Sequence, residues 1–81
     1  MKLWNKTVNG TIESLELYTN NIVSIEALTG LNKLTQLSLS HNKVSDISPL
    51  AQCLSLESIS IGNNNVTDIS PIFYLNLKHF T

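Results

Sequence analysis

The chain has 81 residues, five of them lysine and none arginine, with six acidic residues and a formal net charge of −1. That length allows one small domain at most, and a spherical core of this size is marginal because too little of its surface leaves water. The lysines (Lys2, Lys6, Lys33, Lys43, Lys78) are scattered and form no basic face, which speaks against nucleic-acid binding, and the single cysteine, Cys53, excludes an intrachain disulfide.

The first segment, residues 1–11, carries Lys2, Trp4, Asn5, Lys6 and Asn9 and has no apolar run. It lacks the apolar stretch of a secretory signal, and no segment of the chain is long and apolar enough to span a bilayer. The expectation is therefore no membrane insertion, with the cytoplasm favoured. Leu3, Trp4 and Val8 are the residues that would fold over the segment beginning at Ile12 as an improvised cap.

From Ile12 onward the chain counts in steps of 22. Leu15, Leu37 and Ile59 are so spaced, as are Leu17, Leu39 and Ile61; Asn20, Asn42 and Asn64; Ile22, Val44 and Val66; Ile25, Ile47 and Ile69; and Leu28, Leu50 and Ile72. Internal repetition of this length signals a stacked array. Each unit opens with alternating apolar and polar residues, as in Leu34 to Leu39, the period of a half-buried strand whose leucines point inward while Gln36 and Ser38 point out. The asparagine follows where the chain turns. Its amide can satisfy backbone groups that the bend leaves unpaired, so three in register predict a ladder down the interior. Ser48-Pro49 and Ser70-Pro71 then read as a cap followed by proline at the first position of a short helical turn, while Glu26-Ala27 leaves the first such turn less firmly capped.

The pattern L-x-x-L-x-L-x-x-N-x-[IV]-x-x-I-x-x-L over Ile12–Leu28, Leu34–Leu50 and Leu56–Ile72 resembles the leucine-rich repeats of the 22-residue kind. Asp-Ile-Ser-Pro followed by Leu50 or Ile72 is similar to the tail of bacterial internalin repeats, and the same spacing occurs in phosphatase-regulating repeats. The resemblance implies an α/β fold: a right-handed solenoid with a parallel β-sheet on its concave face and short 3-10 turns on its convex face. On this reading residues 12–33, 34–55 and 56–76 are three repeats and 77–81 begin a truncated fourth. Leu56 to Leu77 is 21 residues, one short of the period. No cap is evident beyond that point, and a fragment of a longer array is the favoured interpretation.

The resemblance also makes the outward strand positions and the turn after them the surface for a partner: Ser14, Glu16, Tyr18 and Thr19; Gln36, Ser38, Ser40 and His41; Ser58, Ser60, Gly62 and Asn63. This grid is polar and nearly uncharged, and Tyr18 is its one aromatic and its one credible anchor, since hot spots favour Trp, Tyr and Arg. Three strands about 4.8 Å apart present only a few hundred Å², whereas a standard interface buries about 800 Å² per partner. The segment would supply part of a binding surface.

Catalysis and cofactors are not expected. His41 and His79 occupy different columns without a cysteine or carboxylate at metal-ligand spacing, Gly10, Gly30 and Gly62 build no phosphate loop, and no serine has a base placed to activate it. Asp46 and Asp68 recur at the repeat step, which assigns them to turns or caps. Cys53 takes the column of Leu31 and Leu75 and reads as a small buried hydrophobe. The function expected is protein–protein interaction; the alternatives are a structural, self-stacking element that associates end to end, or part of a phosphatase-regulating subunit.

Overall fold

The computed structural model of the chain describes residues 2–3, 6–7 and 12–81. Two short strands, β1 (Lys2–Leu3) and β2 (Lys6–Thr7), pair antiparallel. Four more, β3 (Ser14–Glu16), β4 (Gln36–Ser38), β5 (Ser58–Ser60) and β6 (His79–Phe80), form a parallel sheet in chain order. Between successive strands the chain crosses to the opposite side and makes a 3-10 turn: η1 (Glu26–Leu28), η2 (Ser48–Gln52) and η3 (Ser70–Ile72). The result is a solenoid with sheet on one face and 3-10 turns on the other, each turn stacked on the next. Parallel strands joined by crossovers of this kind wind right-handedly.

The sheet is short per strand because only the alternating segment of each coil is extended. Leu15, Leu37 and Ile59 lie opposite one another along the ladder, flanked by outward Ser14, Gln36 and Ser58. Hydrogen bonds extend the pairing past the strands proper, from Leu17 N to Ser38 O (2.8 Å), Leu39 N to Ser60 O (2.7 Å) and Ile61 N to Thr81 O (2.8 Å). The register from β3 to β4 and from β4 to β5 is 22 residues; from β5 to β6, where Ser58 faces His79, it is 21. The missing residue is on the return turn. Where the first coil has Asn32-Lys33 and the second Leu54-Ser55 between inward columns, the third has Asn76 alone.

The inward columns form one apolar spine from Leu15 to Leu75, with Cys53 fully enclosed within it. Its last rung is looser: Ile25 and Ile47 are each 1% exposed, whereas Ile69 in the same column is 42% exposed, and Val66 is half-buried where Ile22 and Val44 are buried. Ile69 shares the column of Ile25 and Ile47, but among the described residues no coil stacks on its outer side. Phe80, aligned with Ile59, is exposed for the same reason.

The asparagines also depart from uniformity. Asn42 is buried, Asn64 half-buried and Asn20 exposed. The ladder therefore has one fully enclosed rung where three were expected. Asn42 Nδ2 donates to the carbonyls of Leu39 (2.8 Å) and Leu17 (2.9 Å), and its Oδ1 accepts from the backbone of Asn20 and Ile22 (both 2.9 Å). Asn64 repeats the motif one coil on, from Nδ2 to Ile61 and Leu39 (2.9 Å each) and from Val44 N to Oδ1 (3.0 Å).

The 3-10 turns are capped differently from the sequence expectation. Ser48 and Ser70 are the first residues of their turns, and no side-chain hydroxyl caps either. Instead Asp46 Oδ1 accepts from Ser48 N (2.9 Å) and Asp68 Oδ1 from Ser70 N (3.0 Å). The carboxylate takes the serine's own N–H in an Asx-type turn, and the N–H two residues further on, of Leu50 or Ile72, is taken by the carbonyl of Ile47 or Ile69 and not by the serine hydroxyl. In the first coil Ser24 holds this column and makes a longer contact, 3.4 Å from Glu26 N.

At the N-terminal end, the backbone of β1 lies beside η1. Trp4 and Val8 of the expected cap lie outside the described residues. No helix among those described is long and apolar enough to cross a membrane.

Candidate functional site

Alternation along each strand turns one set of side chains inward and the other to solvent. Glu16, Gln36, Ser38, Ser58 and Ser60 are thus held on the outer face of β3, β4 and β5 by the buried leucines and isoleucine beside them. A shallow depression of about 110 Å³ runs across these strands, lined by Ser14, Glu16, Gln36, Ser38, Ser58 and Ser60 with Leu15 and Leu37 at its floor. The remaining expected residues, Tyr18, Thr19, Ser40, His41, Gly62 and Asn63, lie outside this lining, towards the turn that leaves the sheet.

That turn has its own geometry. Thr19, His41 and Asn63, one per coil, adopt φ of 60°, 61° and 56°. Left-handed backbone is accessible to asparagine and unfavourable for β-branched threonine. The conformation swings the chain out of the strand so that the next residue, the ladder asparagine, can turn back under it. His41 and Asn63 also meet through their side chains, with the Asn63 amide nitrogen 3.4 Å from His41 Nε2.

The same face continues onto β6, beyond the three sets of outward residues expected from the repeat. His79 stands opposite Ser58, and the Thr81 hydroxyl lies 3.1 Å from that of Ser60. At the strand entries Lys78 and Glu57 form an exposed ion pair at 3.4 Å. The 21-residue step from Leu56 to Leu77 carried the signal for this fourth strand, and applying it beyond Leu77 puts His79 and Thr81 in the outward columns.

Elsewhere the groups are structural. Burial pushes the Cys53 thiol above its ordinary range, and its Sγ sits 3.2 Å from the Leu28 carbonyl. The backbone N–H of Ser48 and of Ser70 holds Asp46 and Asp68 below the usual carboxylate range, and the hydroxyls of the same serines add to the effect. Among the described residues no cluster of His, Cys, Asp or Glu is placed to hold a metal ion.

A model built from leucine-rich repeats matches residues 11–52 and again 32–74. The chain belongs to the leucine-rich repeat family. Of the 24 solved chains that match, internalin C2 from Listeria monocytogenes is similar over 86% of this chain at 28% sequence identity and a TM-score of 0.67. The overlap takes in 41% of the internalin chain, so this chain spans about two fifths of that length. No curated protein matches. The sheet is accordingly the concave face of an internalin-like solenoid, and the chain is a repeat module of the kind that takes part in protein interactions.

Proposed function

We propose that this leucine-rich repeat segment is a non-catalytic recognition module that contributes its concave face to the binding of another protein. The observation that carries the reading is the depression across β3, β4 and β5, lined mainly by polar side chains that no other part of the described chain covers. Short serines keep the trough open, and Gln36 and Glu16 offer directional hydrogen bonding at its rim. The area is a fraction of a standard interface of about 800 Å² per partner, which fits a segment working within a longer surface.

Photo-crosslinking tests this. Benzoylphenylalanine placed at Gln36 or Ser60 should trap a partner protein, and the same probe at Gln52 on the convex η2 should not. Crosslinks from Gln52 alone would place recognition on the other face.

A second reading, end-to-end self-association, draws support from the exposure of Ile69, at the start of η3, and of Phe80, in β6, the outermost strand of the described sheet. Apolar surface next to a sheet edge invites pairing. Light scattering on the 81-residue chain decides it: mass that rises with concentration and returns to the monomer value in Ile69→Glu supports stacking, and a constant monomer mass rejects it.

A further inference from the structure

The concave face has one feature that its serines and amides do not share, a carboxylate and an aromatic ring two residues apart. Glu16 ends β3, and Leu17, buried, continues the ladder through its bond to Ser38. Tyr18 therefore projects on the same side as Glu16, about 6.6 Å further along the chain at the rise of an extended strand. Glu16 is exposed and Tyr18 is 55% exposed. Among the described residues the single ion pair is Lys78 with Glu57, so Glu16 has no cationic partner there.

The surroundings leave room for one. Ser38 stands opposite Glu16 on β4 and Ser40 follows in the same outward column, so small hydroxyls lie beside the pair, with Gln36 diagonally across from Glu16. Glu16 also lines the depression that crosses to Ser60.

We infer that Glu16 and Tyr18 form a receptor for an arginine side chain of the partner protein, whose adjoining backbone lies in the serine-lined depression. Glu16 is the one charged side chain in the lining, which selects a cation. Arginine suits the pair better than lysine because its planar guanidinium can pair with a carboxylate through two parallel N–H groups while its flat face stacks on a phenol ring. The inference deepens the concave-face reading and rests on it.

Nuclear magnetic resonance titration of the 81-residue chain with capped pentapeptides tests it. Three peptides of glycine and serine carry arginine, glutamine or glutamate at the centre. The arginine peptide should shift the amides of Glu16, Tyr18 and Ser38, more weakly as salt rises. Glu16→Gln should weaken it about two- to fivefold, the scale of an exposed ion pair. Tyr18→Ala should weaken it by a similar factor while Tyr18→Phe, which keeps the ring, should not. Both residues are exposed, and thermal melts confirm that the variants fold. Equal shifts from the arginine and glutamine peptides, or arginine binding indifferent to Glu16→Gln, would overturn the receptor while leaving the concave face as a binding surface. No shift at any outward residue with any peptide overturns it too, and the crosslinking experiment then judges the broader reading separately.

Discussion

Asn42 Nδ2 donates to the carbonyl of Leu17 in the preceding coil at 2.9 Å, while its Oδ1 accepts from the same coil's Asn20 and Ile22. One buried amide thereby joins two turns of the solenoid. Replacing it strands the N–H groups of Asn20 and Ile22, each costing about 1–3 kcal/mol where water cannot reach, while the Leu17 and Leu39 carbonyls keep the amides of Asn20 and Asn64 as donors.

Asn42→Ala should accordingly lower stability by roughly 3–5 kcal/mol, a large part of the total expected for 81 residues at roughly 0.05–0.15 kcal/mol each. Asn64→Ala should cost less, because water reaches the half-buried site. Asn20→Ala should cost least, about 0.5–1.5 kcal/mol, since its amide serves only carbonyls of its own coil. Urea denaturation followed by circular dichroism checks the order; equal losses at all three positions would contradict it.

The same graded enclosure predicts unequal responses within one apolar column. Ile47→Ala should cost about 2–5 kcal/mol, and Ile69→Ala less than about 1.5 kcal/mol because much of that side chain is already in water. Chemical denaturation of the pair measures the difference directly.

The repeat was legible because stacking forces chemistry into columns. An inward position at Leu15 must be inward at Leu37 and Ile59, so the step of 22 disclosed the sheet, its parallel sense and the outward grid together. What stayed hidden depended on reach or on neighbours. Asp46 and Ser48 recur as a pair, and spacing alone does not say that the turn begins at Ser48 with the carboxylate on the serine's own N–H. Ile69 has the same identity as Ile25 and Ile47, and only its lack of a covering coil separates them. The β1–β2 ribbon has no period to find. His79 and Thr81 belong to a fourth strand that the 21-residue step already announced, but no outward residues were assigned to it, while the placing of Glu16 and Tyr18 in one outward column follows from the alternation alone.

Asp46 and Asp68 give the fold a defined acid response. Their folded pKa values lie below the ordinary value because the backbone N–H of Ser48 and Ser70 stabilises the charged form. Stability from these bonds is present above the unfolded carboxylate value of about 3.9 and is lost as pH falls through the lower folded values. The melting temperature should drop over that acid window, and Asp46→Asn/Asp68→Asn should melt lower than the parent at neutral pH with a smaller drop on acidification. Parallel curves for parent and variant would refute the assignment.

Thr19 holds a left-handed backbone that costs a β-branched residue more than it costs the asparagine at the matching position 63. Thr19→Asn should stabilise by about 1 kcal/mol, raising the melting temperature by roughly 4–8 °C for a domain of this size. Asn63→Thr should lower it by a comparable amount. Differential scanning calorimetry reads both.

Cys53 lies fully enclosed with its thiol pushed upward by burial, so it is neither accessible nor ionised in the folded chain. Ellman's reagent should leave the native chain unmodified over minutes at pH 8 and label it fully in denaturant. Rapid native labelling would mean that the second coil opens readily.

The lone Asn76, standing where the earlier coils carry two residues, shows which side of the spiral tolerates error. Losing a residue there shifted the numbering of everything after it, yet His79 still found Ser58 and Phe80 still found Ile59. Slippage is absorbed at the back while alignment is kept at the front. A lineage of such proteins can therefore drift in the length of each winding and still hand an unbroken row of side chains to whatever lies before it.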